Sequence, residues 1–139
     1  MAKIAFGKLG LVKNTSVNTV EHNGQIIEVK EYLPVNEKLE LISNIINLAA
    51  DENNFANPVK ISVFATLSII EAYTNITFTE KQKEDPTKIY DLFVSNGLSS
   101  SILETIPKVE LCELLTGIED SVKAVYEYRN SIMGVLEAV

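Results

Sequence analysis

The spacing of apolar residues changes character at Pro34. Before it, Val17, Thr19 and Val20 lead into His22-Asn23-Gly24, and Gln25 to Leu33 follow with apolar and polar residues roughly alternating. Asn-Gly between two such runs supplies the two positive-φ positions of a type I′ turn, which predicts a β-hairpin. Pro34 stops the second strand because it has no N–H to give a ladder. A lone hairpin is marginal in water, so this one should pack on helices or pair with another chain. The segment Ile4 to Val12 sets Phe6, Leu9, Leu11 and Val12 among lysines and glycines. It reads either as a further strand of the same sheet or as an arm that orders on a partner.

Beyond Pro34 the period is about 3.6. Leu39, Ile42, Ile45, Ile46 and Ala49 would line one face of a helix from about Asn36 to Ala50, closed by Asp51-Glu52-Asn53-Asn54. Asn57-Pro58 is a capping residue followed by a proline at the first helical position. The helix it opens, to about Tyr73, is apolar on nearly every side and belongs at the centre of a bundle. Its β-branched residues would also suit a buried strand, but its length favours a helix. The apolar run Ile61 to Ile70 is too short to span a bilayer. Thr79 and Gln82 have capping-box spacing, and Asp85-Pro86 opens a helix that Asn96-Gly97 ends. Ser101 with Glu104 predicts a second capping box, starting a brief helix that Pro107 interrupts. From Lys108, Leu111, Leu115, Ile118, Val122 and Val125 step by four and three, continuing through Ile132 and Leu136. Two helices meeting at Thr116-Gly117 are favoured over one passing through. The expected fold is mainly α (α+β), an N-terminal β-hairpin packed on a bundle of about five helices. One domain covers 1–139, with arm and hairpin in 1–34 and the helical part in 35–139.

Composition agrees with a single core-forming domain, since 46% of the 139 residues are hydrophobic. Twelve basic against nineteen acidic side chains, with Arg129 the lone arginine, disfavour nucleic-acid binding, which lysine and arginine drive. The charge is uneven: residues 1–60 carry six lysines against seven acids, and 61–139 carry six basic groups against twelve acids. Glu104, Glu110, Glu113, Glu119 and Asp120 therefore read as a solvated helical face. One cysteine and one histidine exclude an internal disulfide, a multi-cysteine zinc site and any site needing two imidazoles. Cys112, inside Leu111-Cys112-Glu113-Leu114-Leu115, reads as a partly buried structural thiol. His22, at a hairpin turn, lacks the positioned partner a general base needs. Phosphate-loop and calcium-loop spacings are missing, so no catalytic residue, metal ligand or cofactor is assigned. Lysines interrupt Met1 to Lys8 before an apolar run develops, so a cytoplasmic location is expected rather than export.

What the residues can supply is contact surface. Tyrosine and arginine combine contact area with directed hydrogen bonds, which makes Tyr126, Tyr128 and Arg129 a candidate anchor group, although Tyr126 could equally be core. Phe6, Leu9, Tyr32, Tyr128 and Arg129 are the candidate partner-binding residues. Three stretches, Val29-Lys30-Glu31-Tyr32-Leu33-Pro34-Val35-Asn36-Glu37-Lys38, Ala72-Tyr73-Thr74-Asn75-Ile76-Thr77-Phe78-Thr79-Glu80-Lys81-Gln82-Lys83 and Tyr128-Arg129-Asn130-Ser131-Ile132-Met133-Gly134, resemble small proteins of tailed phages of Gram-positive bacteria. Within that group the chain is most similar to tail assembly chaperones, in size, acidity and helical layout. The resemblance implies a non-enzymatic morphogenesis protein that binds tape-measure or tail-tube subunits, or a second copy of itself. It places the protein in the host cell cytoplasm or the virion, and charge and run length add the expectation of no nucleic acid or membrane as partner. An alternative is a phage-encoded inhibitor offering an acidic helical face to a host protein, and a third is a small carboxylate enzyme, which would need a pocket with perturbed acids.

Overall fold

The structure, a computed structural model, describes residues 1–50 and 57–138, with side chains through residue 127. The Asp51–Asn54 helix stop lies outside the described residues. A 3₁₀ turn, Phe6–Leu9, precedes the antiparallel strands β1 (Val17–His22) and β2 (Gln25–Lys30). The helices are α1 (Val35–Ala49), α2 (Pro58–Tyr73), α3 (Glu80–Lys83), α4 (Pro86–Ser95), α5 (Leu98–Thr105) and α6 (Lys108–Ala138). The protein is thus a mainly helical α+β fold with an N-terminal hairpin on a helical bundle.

The hairpin forms as its turn residues dictate. Asn23 and Gly24 take φ of 49° and 77°, and the register pairs His22 with Gln25, Val20 with Ile27 and Asn18 with Val29. Alternation along β2 buries Ile27 and Val29 and leaves Ile26 and Glu28 outside. The C-terminus of α2 closes the outer edge of β2. Val29 bridges to Thr74, and the Glu28 N–H donates to Asn75 Oδ1 at 3.0 Å. Pairing with helix-derived residues is how a two-stranded sheet escapes marginal stability here. The N-terminal arm is not a third strand: residues 1–16 form only the 3₁₀ turn, and all are exposed.

Caps set the helix starts. Asn57 Oδ1 accepts from the N–H groups of Val59 and Lys60, and Asp85 Oδ1 from that of Lys88. Thr79 and Gln82 close a reciprocal capping box ahead of α3. The capping box expected at Ser101 and Glu104 does not form. Gly97, at φ 71°, follows the end of α4 and serves directly as the N-terminal flank of α5, so Ser101 already lies within that helix and donates to the Gly97 carbonyl. Phe78 and Phe93 meet edge to face, with centroids 6.1 Å apart, and hold the 74–79 connection against α4.

One apolar cluster joins the layers. It contains Ile27 and Val29 from the hairpin, Leu33 of the connection after it, Leu41 and Ile45 of α1, Ile69, Ile70 and Tyr73 of α2, Ile102 and Ile106 at α5, and Leu114 and Ile118 of α6. The faces of α1 and α6 differ from the apolar spacing read along the chain. On α1 the buried residues are Lys38, Leu41, Ile45 and Ala49, while Leu39 is exposed. On α6, among the described side chains, they are Glu110, Leu114 and Ile118; Leu115 is exposed, and so is Cys112, which faces solvent instead of packing as a structural thiol. A charged residue occupies each seam, so counting apolar positions alone shifts each stripe toward one edge, while Ile42 and Ile46 of α1 and Leu111 and Val122 of α6 still pack against the core as expected.

A single helix, α6, runs through Thr116-Gly117, where two helices were expected. Gly117 is there for proximity. A Cβ built on it would lie 2.5 Å from Ile42 Cδ1 of α1 and 3.6 Å from Cγ1, so the glycine lets the two helices approach without breaking α6. Removing that δ-methyl should therefore release the helix propensity that glycine forgoes. On an Ile42→Val background, Gly117→Ala should raise stability by about 1 kcal/mol. On the wild-type background the gain should be smaller or reversed, because Ile42 must leave its rotamer. Urea unfolding of the four proteins reads this directly; equal gains on both backgrounds would show that Ile42 and Gly117 do not compete for space.

Candidate functional site

Three features beyond the core carry polar chemistry or open surface: a buried charged network, a groove and the N-terminal arm. The network is centred on Lys38, whose side chain is 5% exposed. Its Nζ lies 2.6 Å from Oε2 of Glu110, also 5% exposed, and 3.3 Å from Oε2 of the half-exposed Glu113. The same Glu110 oxygen accepts the Tyr73 hydroxyl at 2.9 Å. Tyr32 roofs the assembly, its ring centroid 4.4 Å from Lys38 Nζ. An ammonium has three N–H donors, and here two carboxylates and one π face are arrayed around it.

The electrostatics follow from burial and partners. Burial pulls the Lys38 pKa down, but hydrogen bonds to Glu110 and Glu113 and the charges of both outweigh it, and the ammonium is held above its ordinary 10.5. Burial, then the hydrogen bond to Glu110 and the two carboxylate charges, pushes the Tyr73 hydroxyl well above its ordinary 10.0. Both groups are locked in their protonated forms at neutral pH. That is the wrong state for a general base, and neither Lys38 nor Tyr73 lines either of two hollows among the described residues. Removing one partner from such a pair commonly costs about 3–5 kcal/mol, because it leaves a buried charge unpaired. The arrangement is therefore a structural tie between α1, α2, α6 and the chain entering α1.

One hollow, of about 580 Å³, runs between α1, α2 and α4. Leu41, Leu48, Phe64, Leu67, Phe78 and Ile89 give it an apolar lining, with Asn44, Asn47 and Ser68 among its polar positions. Glu71 and Lys83, 3.4 Å apart and both half-exposed, form an ion pair on its wall. Among the described residues no group of three or more His, Cys, Asp or Glu is placed to hold a metal ion. No described helix is long and apolar enough to cross a membrane.

The residues singled out from the sequence are placed apart. Phe6 and Leu9 stand on the arm, 78% and 52% exposed. Tyr32, 43% exposed, covers Lys38. Tyr128 and Arg129 belong to α6, but their side chains, like those of Ile132 and Leu136, lie outside the described residues. The acidic face is smaller than expected, because Glu110 turns inward while Glu104, Glu113, Glu119 and Asp120 stay exposed. Sequence reasoning missed Lys38, Tyr73 and Glu110 as a unit. The available signal was positional: Lys38 precedes Leu41 by three and Glu110 precedes Leu114 by four, so opposite charges stand in register with two apolar stripes. No family model matches the chain, and neither curated proteins nor solved structures give a significant match to it.

The network dictates how the protein should respond to alkali. Folded Lys38 and Tyr73 keep their protons above pH 10, where the unfolded chain releases them, so the folded state binds more protons and stability falls as pH rises. The contribution is intact below about pH 10. Above it the two groups together should cost up to about 2.7 kcal/mol per pH unit. Tyr73→Phe should remove about half of that slope. Urea midpoints between pH 8 and pH 11 measure it, and an identical slope in the two proteins would show that Tyr73 is not held protonated by the fold.

Proposed function

We propose that this chain is a non-enzymatic morphogenesis protein of a tailed phage of Gram-positive bacteria, acting by protein–protein contact in tail assembly. On this reading it serves as a chaperone for tape-measure or tail-tube subunits in the host cytoplasm, and it can persist into the virion. The observation that carries the reading is the N-terminal arm. Ile4, Phe6, Leu9, Leu11 and Val12 are each more than half exposed within one short segment. Contiguous exposed apolar surface of this kind marks an interaction site. The resemblance of the 29–38, 72–83 and 128–134 segments to small proteins of tailed phages suggests the kind of partner, and Tyr32 extends the available surface beside the hairpin. The buried network fits the same reading, since a rigid body is what a protein acting through its surface needs.

Capture of tail proteins from phage-infected cells tests this. The tagged chain should bring down tape-measure or tail-tube protein, and Phe6→Asp with Leu9→Asp should reduce that recovery at least tenfold while the thermal unfolding midpoint stays within a few degrees of wild type. Recovery of a host protein instead of tail proteins, or undiminished capture by the double variant, contradicts the assignment.

A further inference from the structure

The arm is more than loose apolar chain. Residues i and i+3 of a 3₁₀ turn share one edge, so Phe6 and Leu9 form a paired apolar knob. The Lys8 N–H donates to the Ala5 carbonyl at 3.0 Å, and Gly10, at φ 65°, ends the turn in the left-handed region. A knob already shaped in the free chain loses less entropy on docking than an unstructured segment would. Its own chain does not cover it: every residue from Met1 to Thr19 is exposed, and none of Met1 to Thr19 is among the residues that line the groove.

The groove offers the complementary shape. Its volume of about 580 Å³ lies within the range of roughly 300–1,000 Å³ typical of ligand pockets, room for a few large apolar side chains. Charge indicates whose side chains these are. Residues 1–13 carry Lys3, Lys8 and Lys13 and no acid, leaving nine basic against nineteen acidic side chains in the rest of the chain. Of the charges in segment 71–91, Glu71 and Lys83 line the groove and pair with each other, and the rest of the segment holds four acids, Glu80, Glu84, Asp85 and Asp91, against Lys81 and Lys88. A basic arm bearing an apolar knob is thus drawn to the acidic body of another copy, and the apolar lining offers the knob burial once there.

We propose that the N-terminal arm of one copy docks in the groove between α1, α2 and α4 of a second copy, with Phe6 and Leu9 as the inserted side chains. The inference uses the same arm as the tail-assembly reading but does not rest on it: sedimentation of the purified chain tests self-docking, and capture from infected cells tests contact with tail proteins. The contact is small, so the association is a weak one and loosens with added salt.

Sedimentation velocity on the full-length chain and two kinds of variant tests it. Phe6→Asp with Leu9→Asp removes the knob and leaves the groove; Leu48→Lys places a like charge at the exposed groove lining and leaves the knob. Ser68→Lys, at a second lining position, repeats the groove test. The wild type should associate with rising concentration, and each variant alone should sediment as a monomer, at least tenfold weaker in self-association. Mixing the knob variant with a groove variant should restore a complex of two chains and nothing larger, since one intact knob meets one intact groove; this also shows that both variants are folded. A wild type that stays monomeric to about 1 mM overturns the proposal. So do variants that associate like wild type, or a mixture that stays monomeric.

Discussion

The contact between the Lys38 ammonium and the Glu110 carboxylate is the constraint around which the helical bundle is arranged. Two opposite charges nearly removed from water can exist there only if each faces the other, because an isolated buried ion costs several kcal/mol. Lys38 is on α1 and Glu110 on α6, so the requirement fixes how the two helices are rotated and how far one slides along the other. Turning α6 by one residue would set Val109 or Leu111 opposite the ammonium. Tyr73 extends the constraint to α2 by donating to the same carboxylate oxygen, and Tyr32 extends it to the connection between hairpin and α1. The close approach at Gly117 and Ile42 lies on the same pair of helices and is set by the same register.

That interaction also explains which parts of the fold are legible in the sequence. Local signals with a stereochemical cause read through directly: the Asn23-Gly24 turn, the Asn57 and Asp85 caps with their prolines, and the Thr79–Gln82 capping box all occur where the residues require them. One edge of each stripe on α1 and α6 misleads, at Leu39 and Leu115, because a charged residue in a seam looks like a surface residue until its partner is known, and that partner lies 72 residues away in the chain. Gly117 misleads for a related reason. A glycine that permits close packing and a glycine that ends a helix are the same letter, and only the neighbouring helix distinguishes them. At Ser101 a genuine capping signal loses to Gly97, whose left-handed conformation, after Asn96, joins α4 to α5.

The candidate surface is legible in part. Phe6 and Leu9 stand out as apolar residues among lysines and glycines, and they are indeed exposed, on a turn instead of a strand. The groove has no linear signature, since its lining comes from α1, α2, α4 and the connection before α3. The division of labour is simple: polar chemistry is buried and fixed, while the open surface is apolar on the arm and in the groove. A protein arranged this way is suited to contact, with the network holding the faces still and the arm free to engage.

A double-mutant cycle on Lys38→Met and Glu110→Gln tests the central claim most directly, because the amide oxygen introduced by the second change would still accept the Tyr73 hydroxyl while both charges are removed. Each single change should destabilise the protein by about 2–5 kcal/mol. The double variant should lie much nearer wild type than their sum, giving a coupling energy of at least about 2 kcal/mol. Costs that simply add, with coupling below about 0.5 kcal/mol, would contradict the account and show that the register of α1 on α6 does not depend on this pair.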